Sequence, residues 1–326
     1  MNEFLPQDLG FDLVRATEEA ALKAGRWKGL GKPDEADQAA TEAIFEVLNT
    51  IEIDGRLVIV ESTHIDDEVM MCGTKVGCGE GAKVDVVCDP IDGRQQLAMG
   101  QAGALSVIAI APAGSMWAPT PAAYMDKIVV NHEAASALVP ECMDAPPAWT
   151  LALVASAKSK SVSDLTVFIL DRPRHADLIA EVRSSGARGV LRPDGDIAGA
   201  LMACVPDSQV DLLMGIGGVL EGLIVACAVK ALGGAMLGRL APQSERERQN
   251  LEDEGQEINR ILTDDQLVSS KDVFFSATGI TTSPLLSGIR YHGERANSNS
   301  LILRGITMTR RDMYSEHQIQ LSDQTP

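Results

Sequence analysis

Aromatic side chains are scarce in this chain: Phe, Trp and Tyr make up 4% of its 326 residues, while hydrophobic residues as a class reach 45%. Its cores must be built on Ala, Val, Ile, Leu and Met. Basic residues are also few, 28 against 46 acidic, for a formal charge of −18. Without a basic surface to displace phosphate counterions, a nucleic-acid partner is argued against. A protein this acidic that handles an anionic ligand has to concentrate its few cations, or metals, at the site. No apolar run reaches the length of a membrane span, since the stretch from Leu212 to Leu232 is rich in glycine and broken by Glu221. The N-terminus lacks the basic region and apolar segment of a secretory signal. Six cysteines show neither a CxxC nor a His-paired spacing, which argues against zinc and for reduced thiols in the cytoplasm. No Gly-x-Ser-x-Gly elbow is present, so a serine hydrolase is disfavoured.

What the chain does have is Asp89-Pro90-Ile91-Asp92-Gly93, directly after the β-branched run Val84–Cys88. A strand ending this way places two carboxylates on a tight turn, with Pro90 fixing φ and Gly93 permitting the bend. Hard divalent cations seek such oxygen clusters, and phosphoryl transfer uses such cations.

The length suggests two domains, with a boundary near residue 160: an α+β unit over 1–160 and an α/β unit over 161–326. Amphipathic patterns predict helices over 11–26 and 35–50, with Asp34 at the N-cap of the second. Strands are expected at Leu57–Val60, Val84–Cys88 and Ala104–Ala111, and more weakly at Met125–Val130. The segment 131–150, with Pro140, Pro146 and Pro147, reads as a linker. From Thr166 the chain alternates strand and helix, which predicts a parallel sheet covered on both faces. Residues 243–262 read as a charged, exposed helix, and Val273–Ser276 as a last strand. Ligands of parallel sheets sit at the carboxyl ends of the strands. Three candidate pieces fall at such ends: Arg172-Pro-Arg-His, Asp194-Gly-Asp and Gly215-Ile-Gly-Gly.

Asp37, Glu61, Asp89, Asp92 and Glu221 could together form a multi-carboxylate Mg2+ or Mn2+ site. Asp37 taken alone reads as a helix's solvated face. Glu61 emerges at a strand end, and Glu221 interrupts an apolar segment, where a carboxylate must be paired, metal-bound or at a helix N-terminus. Arg172 and Arg174 flank a proline, a rigid turn suited to an oxyanion, with a solvated basic turn as the equal alternative. Gly215-Ile-Gly-Gly lacks full dinucleotide spacing and any P-loop lysine, so tight packing at a strand–helix turn outranks a dinucleotide loop. His175 reads as the start of the following helix.

These pieces together resemble the class II fructose-1,6-bisphosphatases of the lithium-sensitive, metal-dependent sugar phosphatase superfamily. The resemblance runs from Arg15-Ala-Thr-Glu-Glu-Ala-Ala-Leu to about Arg310. It is carried by Asp89-Pro-Ile-Asp-Gly, Leu97-Ala-Met-Gly-Gln-Ala, Tyr124-Met-Asp-Lys, Arg172-Pro-Arg-His, Pro193-Asp-Gly-Asp-Ile-Ala, Gly215-Ile-Gly-Gly-x-x-Glu-Gly and Phe275-Ser-Ala-Thr-Gly-Ile-Thr. It implies a layered αβαβα fold and a cytoplasmic homodimer or homotetramer. It also implies removal of the 1-phosphate of fructose 1,6-bisphosphate, and in some relatives action on sedoheptulose 1,7-bisphosphate. Metal ligands would be Asp37, Glu61, Asp89, Asp92 and Glu221, with Mg2+ or Mn2+ as cofactor. Substrate contacts would come from Asp92, Gly93, Arg94, Tyr124, Arg172, Arg174, Asp194, Asp196 and Glu221, and catalytic roles would fall to Asp37, Glu61 and Arg94. Three departures cluster at the expected centre. Asp92-Gly-Arg94 stands where the family has Glu-Gly-Thr, Val60-Glu-Ser-Thr where it has Gly-Glu-Gly-Glu, and Gly31-Lys-Pro where it has Gly-Asp-Lys. The lost Thr hydroxyl is expected to orient the attacking water, which a guanidinium cannot do as a proton acceptor. A second reading therefore accompanies the first: a catalytically impaired paralogue that binds sugar phosphate or regulates a homologue.

Overall fold

The computed structural model describes residues 4–59, 72–119, 123–206 and 208–319. The chain opens with two antiparallel helices, α1 (Leu9–Gly25) and α2 (Pro33–Leu48), then β1 (Ile53–Leu57), β2 (Lys75–Val76) and the long β3 (Ala82–Asp92). A single helical turn, α3 (Arg94–Ala98), leads to β4 (Leu105–Pro112) and β5 (Tyr124–Val130). There follow α4 (Pro147–Ala157), β6 (Thr166–Leu170), α5 (Ala176–Ser184), β7 (Arg188–Arg192), α6 (Asp196–Cys204), β8 (Leu212–Gly218) and α7 (Val219–Leu232). The chain continues through β9 (Ala235–Leu240), α8 (Glu245–Asp253), β10 (Leu262–Thr263) and α9 (Asp264–Leu267). It ends with β11 (Phe274–Gly279), β12 (Arg290–His292), β13 (Arg295–Arg304) and β14 (Thr309–Gln318).

Two mixed sheets result. The first runs β12-β13-β11-β4-β3-β1-β2, with β14 added beside β13, and the second runs β10-β9-β5-β8-β6-β7. Helices α1 and α2 cover the outer face of the first sheet through an Ala-, Leu- and Ile-rich layer including Leu13, Ala20, Ile44 and Leu48. Helices α6 and α7 lie between the sheets, where Ile197, Leu201, Leu223 and Ala226 meet Val107, Met125 and Phe275. Helix α4 and Ile179 and Val182 of α5 close the outer face of the second sheet. The five layers are α, β, α, β, α, as the resemblance implies. Helix α7 is apolar all round, which suits a helix with a sheet on either side. A fully buried Leu, Ile or Val contributes on the order of 1.5–3 kcal/mol, so this layer carries much of the stability.

The chain crosses into the second sheet at β5 and returns to the first at β11. The second sheet pairs in parallel only across β8-β6-β7, while the β5–β8, β5–β9 and β9–β10 pairings are antiparallel. Strand β9 follows β8 through the covering helix α7 and runs the same way as β8, β6 and β7. The all-parallel expectation fails because β5, arriving from the first sheet, is inserted between β8 and β9 in the opposite direction, and the short β10 runs against β9. Asp34 falls in the first turn of α2; the helix starts at Pro33, whose fixed φ and missing N–H suit its first position. The expected linker over 131–150 instead forms two 3-10 turns, and its last proline, Pro147, opens α4. The charged helix shrinks to Glu245–Asp253, capped by Ser244, which accepts from the Glu247 amide. All six cysteines are unpaired, four of them buried. No helix among the described residues is long and apolar enough to cross a membrane.

Candidate active site

Strands β6 and β7 run parallel, and β8 runs parallel to β6, so their carboxyl ends share one edge. The chain leaves β6 into Arg172-Pro-Arg-His, leaves β7 into Asp194-Gly-Asp, and leaves β8 directly into α7. Tyr124, at the start of the antiparallel β5, pairs with Gly218 at the end of β8 and so arrives at the same edge. From the first sheet β3 brings Asp92. These segments enclose a cavity of about 300 Å³ lined by Asp92, Tyr124, Arg172, Arg174, Asp194, Asp196, Gly217, Gly218 and Glu221. Seven of the residues picked out from the sequence thus converge on one cavity.

The Asp-Pro-Ile-Asp segment is a strand rather than the tight turn expected of it. Strand β3 continues through Asp92, with an irregularity against β4 between Asp89 and Asp92. Pro90, which has no N–H to give to the ladder, sits within this bulge. The turn comes one residue later, at Gly93, whose φ of 91° favours glycine. The bulge divides the acids. Asp89 accepts from the Ile91 amide at 3.0 Å, whereas Asp92 faces the cavity, and its Oδ2 accepts from the Ala198 amide at 3.1 Å. Ala198 lies in the first turn of α6, so Asp92 of the first sheet caps a helix of the middle layer. Such a cap contributes about 0.5–2 kcal/mol. Burial nevertheless pushes the Asp92 carboxyl well above the usual carboxylate range, and the negative charges of Asp196, Asp194 and Glu221 add to the push. Burial raises Asp194 as well, with Asp196 adding to it and Arg172 partly offsetting it.

The cationic side is held in place by backbone. The Nε and Nη2 of Arg174 both donate to the Ile216 carbonyl, at 3.2 and 2.8 Å, and its guanidinium lies 5.3 Å from the Tyr124 ring centre. Arg172 approaches Asp194 at 3.8 Å. His175 is buried behind them in the 3-10 turn that opens α5. Its Nδ1 donates to the Leu170 carbonyl at 2.7 Å, its Nε2 accepts from the Ile216 amide at 2.8 Å, and burial holds its pKa below the usual value. Both ring nitrogens are committed in a neutral ring, so His175 orients the Arg172–Arg174 turn and offers no free base. Gly215-Ile-Gly-Gly is strand, paired along its length with β5, which removes the dinucleotide-loop reading.

Glu221 sits in the first turn of α7, the helix N-terminus being one of the three surroundings foreseen for it. Its Oε2 occupies the space a Cβ on Gly218 would fill, 1.8 Å from that position. The Asp196 Oδ2 likewise stands 1.8 Å from where a Gly217 Cβ would lie. The two glycines are therefore a cradle for two carboxylates.

Asp37 and Arg94 lie off the cavity lining. Buried Asp37 of α2 meets the Arg94 guanidinium, which begins α3, at 3.4 Å. Gly93 is the N-cap of α3. Glu61 lies outside the described residues. Among the described residues no three Asp, Glu, His or Cys side chains gather into a metal-holding group. Of the four expected acids among the described residues, Asp92 and Glu221 share the cavity, Asp37 pairs with Arg94, and Asp89 accepts from the Ile91 amide. In chemistry Asp92 and Glu221 still suit a hard divalent ion, because their oxygens stand among like charges that a cation would neutralise.

Sequence reasoning did not single out Lys127, which is fully buried beneath the site, or Gln96, which donates to the Asp194 carbonyl at 2.9 Å. A signal for Lys127 was present: a lone lysine inside the apolar run of β5 must have a buried partner.

Comparison with known proteins agrees with this geometry. The family model described as bacterial fructose-1,6-bisphosphatase, glpX-encoded, matches residues 7–317. The "Fructose-1,6-bisphosphatase class 2" of Haemophilus influenzae is 38% identical over 95% of this chain and 96% of its own length. The "Fructose-1,6-bisphosphatase 1 class 2" of Escherichia coli K12 is also 38% identical, over 97% of both chains.

Proposed function

The chain belongs to the bacterial, glpX-encoded fructose-1,6-bisphosphatase family, and from that premise we propose that it hydrolyses the 1-phosphate of fructose 1,6-bisphosphate, releasing inorganic phosphate and fructose 6-phosphate in the cytoplasm. One observation carries the reading: a single cavity holds two arginines, one of them anchored on a backbone carbonyl, and a tyrosine beside four carboxylates. Guanidiniums recognise a phosphoryl oxyanion through paired N–H donors. Carboxylates that raise one another's pKa are poised for a cation or a proton.

In the reaction, water oxygen forms a new bond to phosphorus, the bond from phosphorus to the sugar C1 oxygen breaks, and that oxygen takes up a proton. A divalent cation, Mg2+ or Mn2+, would be held by Asp92 and Glu221, and when bound it supplies Lewis-acid polarisation of the phosphoryl group. Arg172 and Arg174 hold the phosphate that is not cleaved, with Tyr124 flanking the guanidinium of Arg174. Asp194 and Asp196 accept hydrogen bonds from sugar hydroxyls. Asp194, raised by burial, keeps a proton further up the pH scale than an ordinary carboxyl and can hand it on.

The impaired-paralogue reading rests on the three departures at the expected centre and is not favoured, because the relatives matched over nearly the whole chain carry fructose-1,6-bisphosphatase names. The deciding experiment is phosphate release from fructose 1,6-bisphosphate with Mg2+ and with Mn2+, and from sedoheptulose 1,7-bisphosphate in parallel. Brisk release from the first substrate supports the proposal, and no release with either metal overturns it.

A further inference from the structure

Lys127 is the largest of the fully buried side chains, at 1% exposure, and nothing in the reaction as described uses it. It stands on β5 opposite Gly215 of β8, and its Nζ lies 2.5 Å from the Asp196 Oδ2. The same Nζ donates to the Gly218 carbonyl at 3.2 Å. Asp196 is the first residue of α6, and Gly218 is the N-cap of α7. One ammonium therefore ties together the starts of the two helices that fill the space between the sheets. A Cβ on Gly217 would stand 2.7 Å from this Nζ, so the glycine is what lets the ammonium–carboxylate pair lie flat against β8. Neutral His175, with both nitrogens on backbone, supplies no competing charge. Among the described residues Lys127 is the cation paired with Asp196.

We propose that Lys127 is a positioning residue for substrate. It sets the direction of the Asp196 carboxylate toward the sugar and fixes the Gly218 turn, and through that turn it fixes the Glu221 carboxylate that lies over Gly218. The inference rests on the sugar-bisphosphatase reading of the cavity. It differs from a plain buried ion pair, which would affect folding and leave the cavity's affinity untouched. The ammonium suits the task because it is a compact charge with three donors that can serve a carboxylate and a carbonyl at once. A planar guanidinium would serve them at different angles and distances.

The test compares Lys127→Arg and Lys127→Met with wild type in melting temperature, in KM and kcat for fructose 1,6-bisphosphate, and in calorimetric affinity for fructose 6-phosphate. Lys127→Arg keeps the charge and so leaves the Asp196 carboxylate paired. Positioning requires it to raise KM and weaken product binding about tenfold, with kcat and melting temperature nearly unchanged. Lys127→Met leaves a buried carboxylate unpaired and melts lower; where it folds, its KM rises further. A Lys127→Arg enzyme with wild-type KM and product affinity overturns the inference, whatever Lys127→Met does. If wild type releases no phosphate, the functional reading fails, while the fructose 6-phosphate measurement still decides whether Lys127 sets the cavity's affinity.

Discussion

The two sides of the cavity treat charge in opposite ways. On the second-sheet side the cations are set in advance: Arg174 hangs on the Ile216 carbonyl, His175 locks the turn beneath it, and Tyr124 flanks the guanidinium. Where the first sheet meets the cavity, its Asp92 is crowded by Asp194, Asp196 and Glu221 of the facing elements, and Asp37 of α2 is paired with Arg94. The proposed phosphate clamp is thus built into the polypeptide, whereas the acid side stores like-charge repulsion that a bound cation would relieve. Among the described residues, the departures at Pro33 and Arg94 fall on the acid side, at the starts of α2 and α3. That side is where chain-specific behaviour is to be sought, and the following measurements probe the contrast from its largest expected effect to its smallest.

Stripping divalent cations with a chelator should abolish phosphate release, with Mg2+ or Mn2+ restoring it. Undiminished release in chelator would leave the acids without their proposed role. Exchanging Arg94→Thr should free Asp37 and return a hydroxyl that orients water. A group of that kind contributes on the order of 10²–10⁴-fold, so kcat should rise by about tenfold or more. A fall in kcat would instead make Arg94 a productive part of this enzyme. Removing Arg174 as Arg174→Ala should raise KM about tenfold to a hundredfold with a smaller change in kcat, since a hydrogen bond to a charged group contributes about 1.5–3 kcal/mol. Unchanged KM would show that the turn does not hold phosphate.

The smallest effect is on the pH dependence of stability. His175 has a folded pKa lowered by burial from 6.5, so above that value it is neutral in both states and takes nothing from the fold. As pH falls through 6.5 the unfolded chain gains the proton first and stability declines, until the folded ring also protonates below its lowered pKa. His175→Gln should remove this decline from melting curves recorded between pH 7 and pH 5, after its constant cost from lost backbone bonds is subtracted. An equally steep decline in the variant would assign the effect to another group.

Much of the site was legible because strand-end chemistry is local. Arg172, Arg174, Asp194 and Asp196 follow apolar runs in the sequence and follow β6 and β7 in space. Glu221 announced itself as a charge in an apolar segment. Asp92 and Asp89 looked equivalent in sequence, and only the bulge at Pro90, a matter of pairing with β4, sends one to the cavity and the other to its own backbone. Arg94 reads as a site residue from its place beside Asp92, and its pairing with Asp37, brought by α2 from far away in sequence, is a tertiary contact the sequence does not show. The strands from β12 to β14 went unseen because their pattern is weak. β14 is a largely exposed ribbon of charged and polar residues, and part of β13 is buried through hydroxyls that donate to Glu18 of α1 and an Asn299 amide that donates to the Met313 carbonyl of β14, rather than through aliphatic side chains. Likewise Gly215–Gly218 has the composition of a loop and becomes a strand through its partner β5, a tertiary decision that local propensity does not contain.

The order of strands in the first sheet also bears on how the protein is made. Strand β11 is inserted between β4 and β13, and α1 packs on β4, β11 and β13 together. The Leu5 amide donates to Asp272, and Arg304 donates to the Leu5 carbonyl. Thr17 shares its hydroxyl with Ser276 and Thr278. Helix α1 therefore has no finished surface to dock on until residues near 304 have followed it out of the ribosome. Pairings this distant in sequence form slowly, and until they form the apolar face of α1 stays open to water or to a chaperone. During synthesis the second sheet, complete by Thr263, can close first, and the first sheet is completed around it by the last part of the chain to appear.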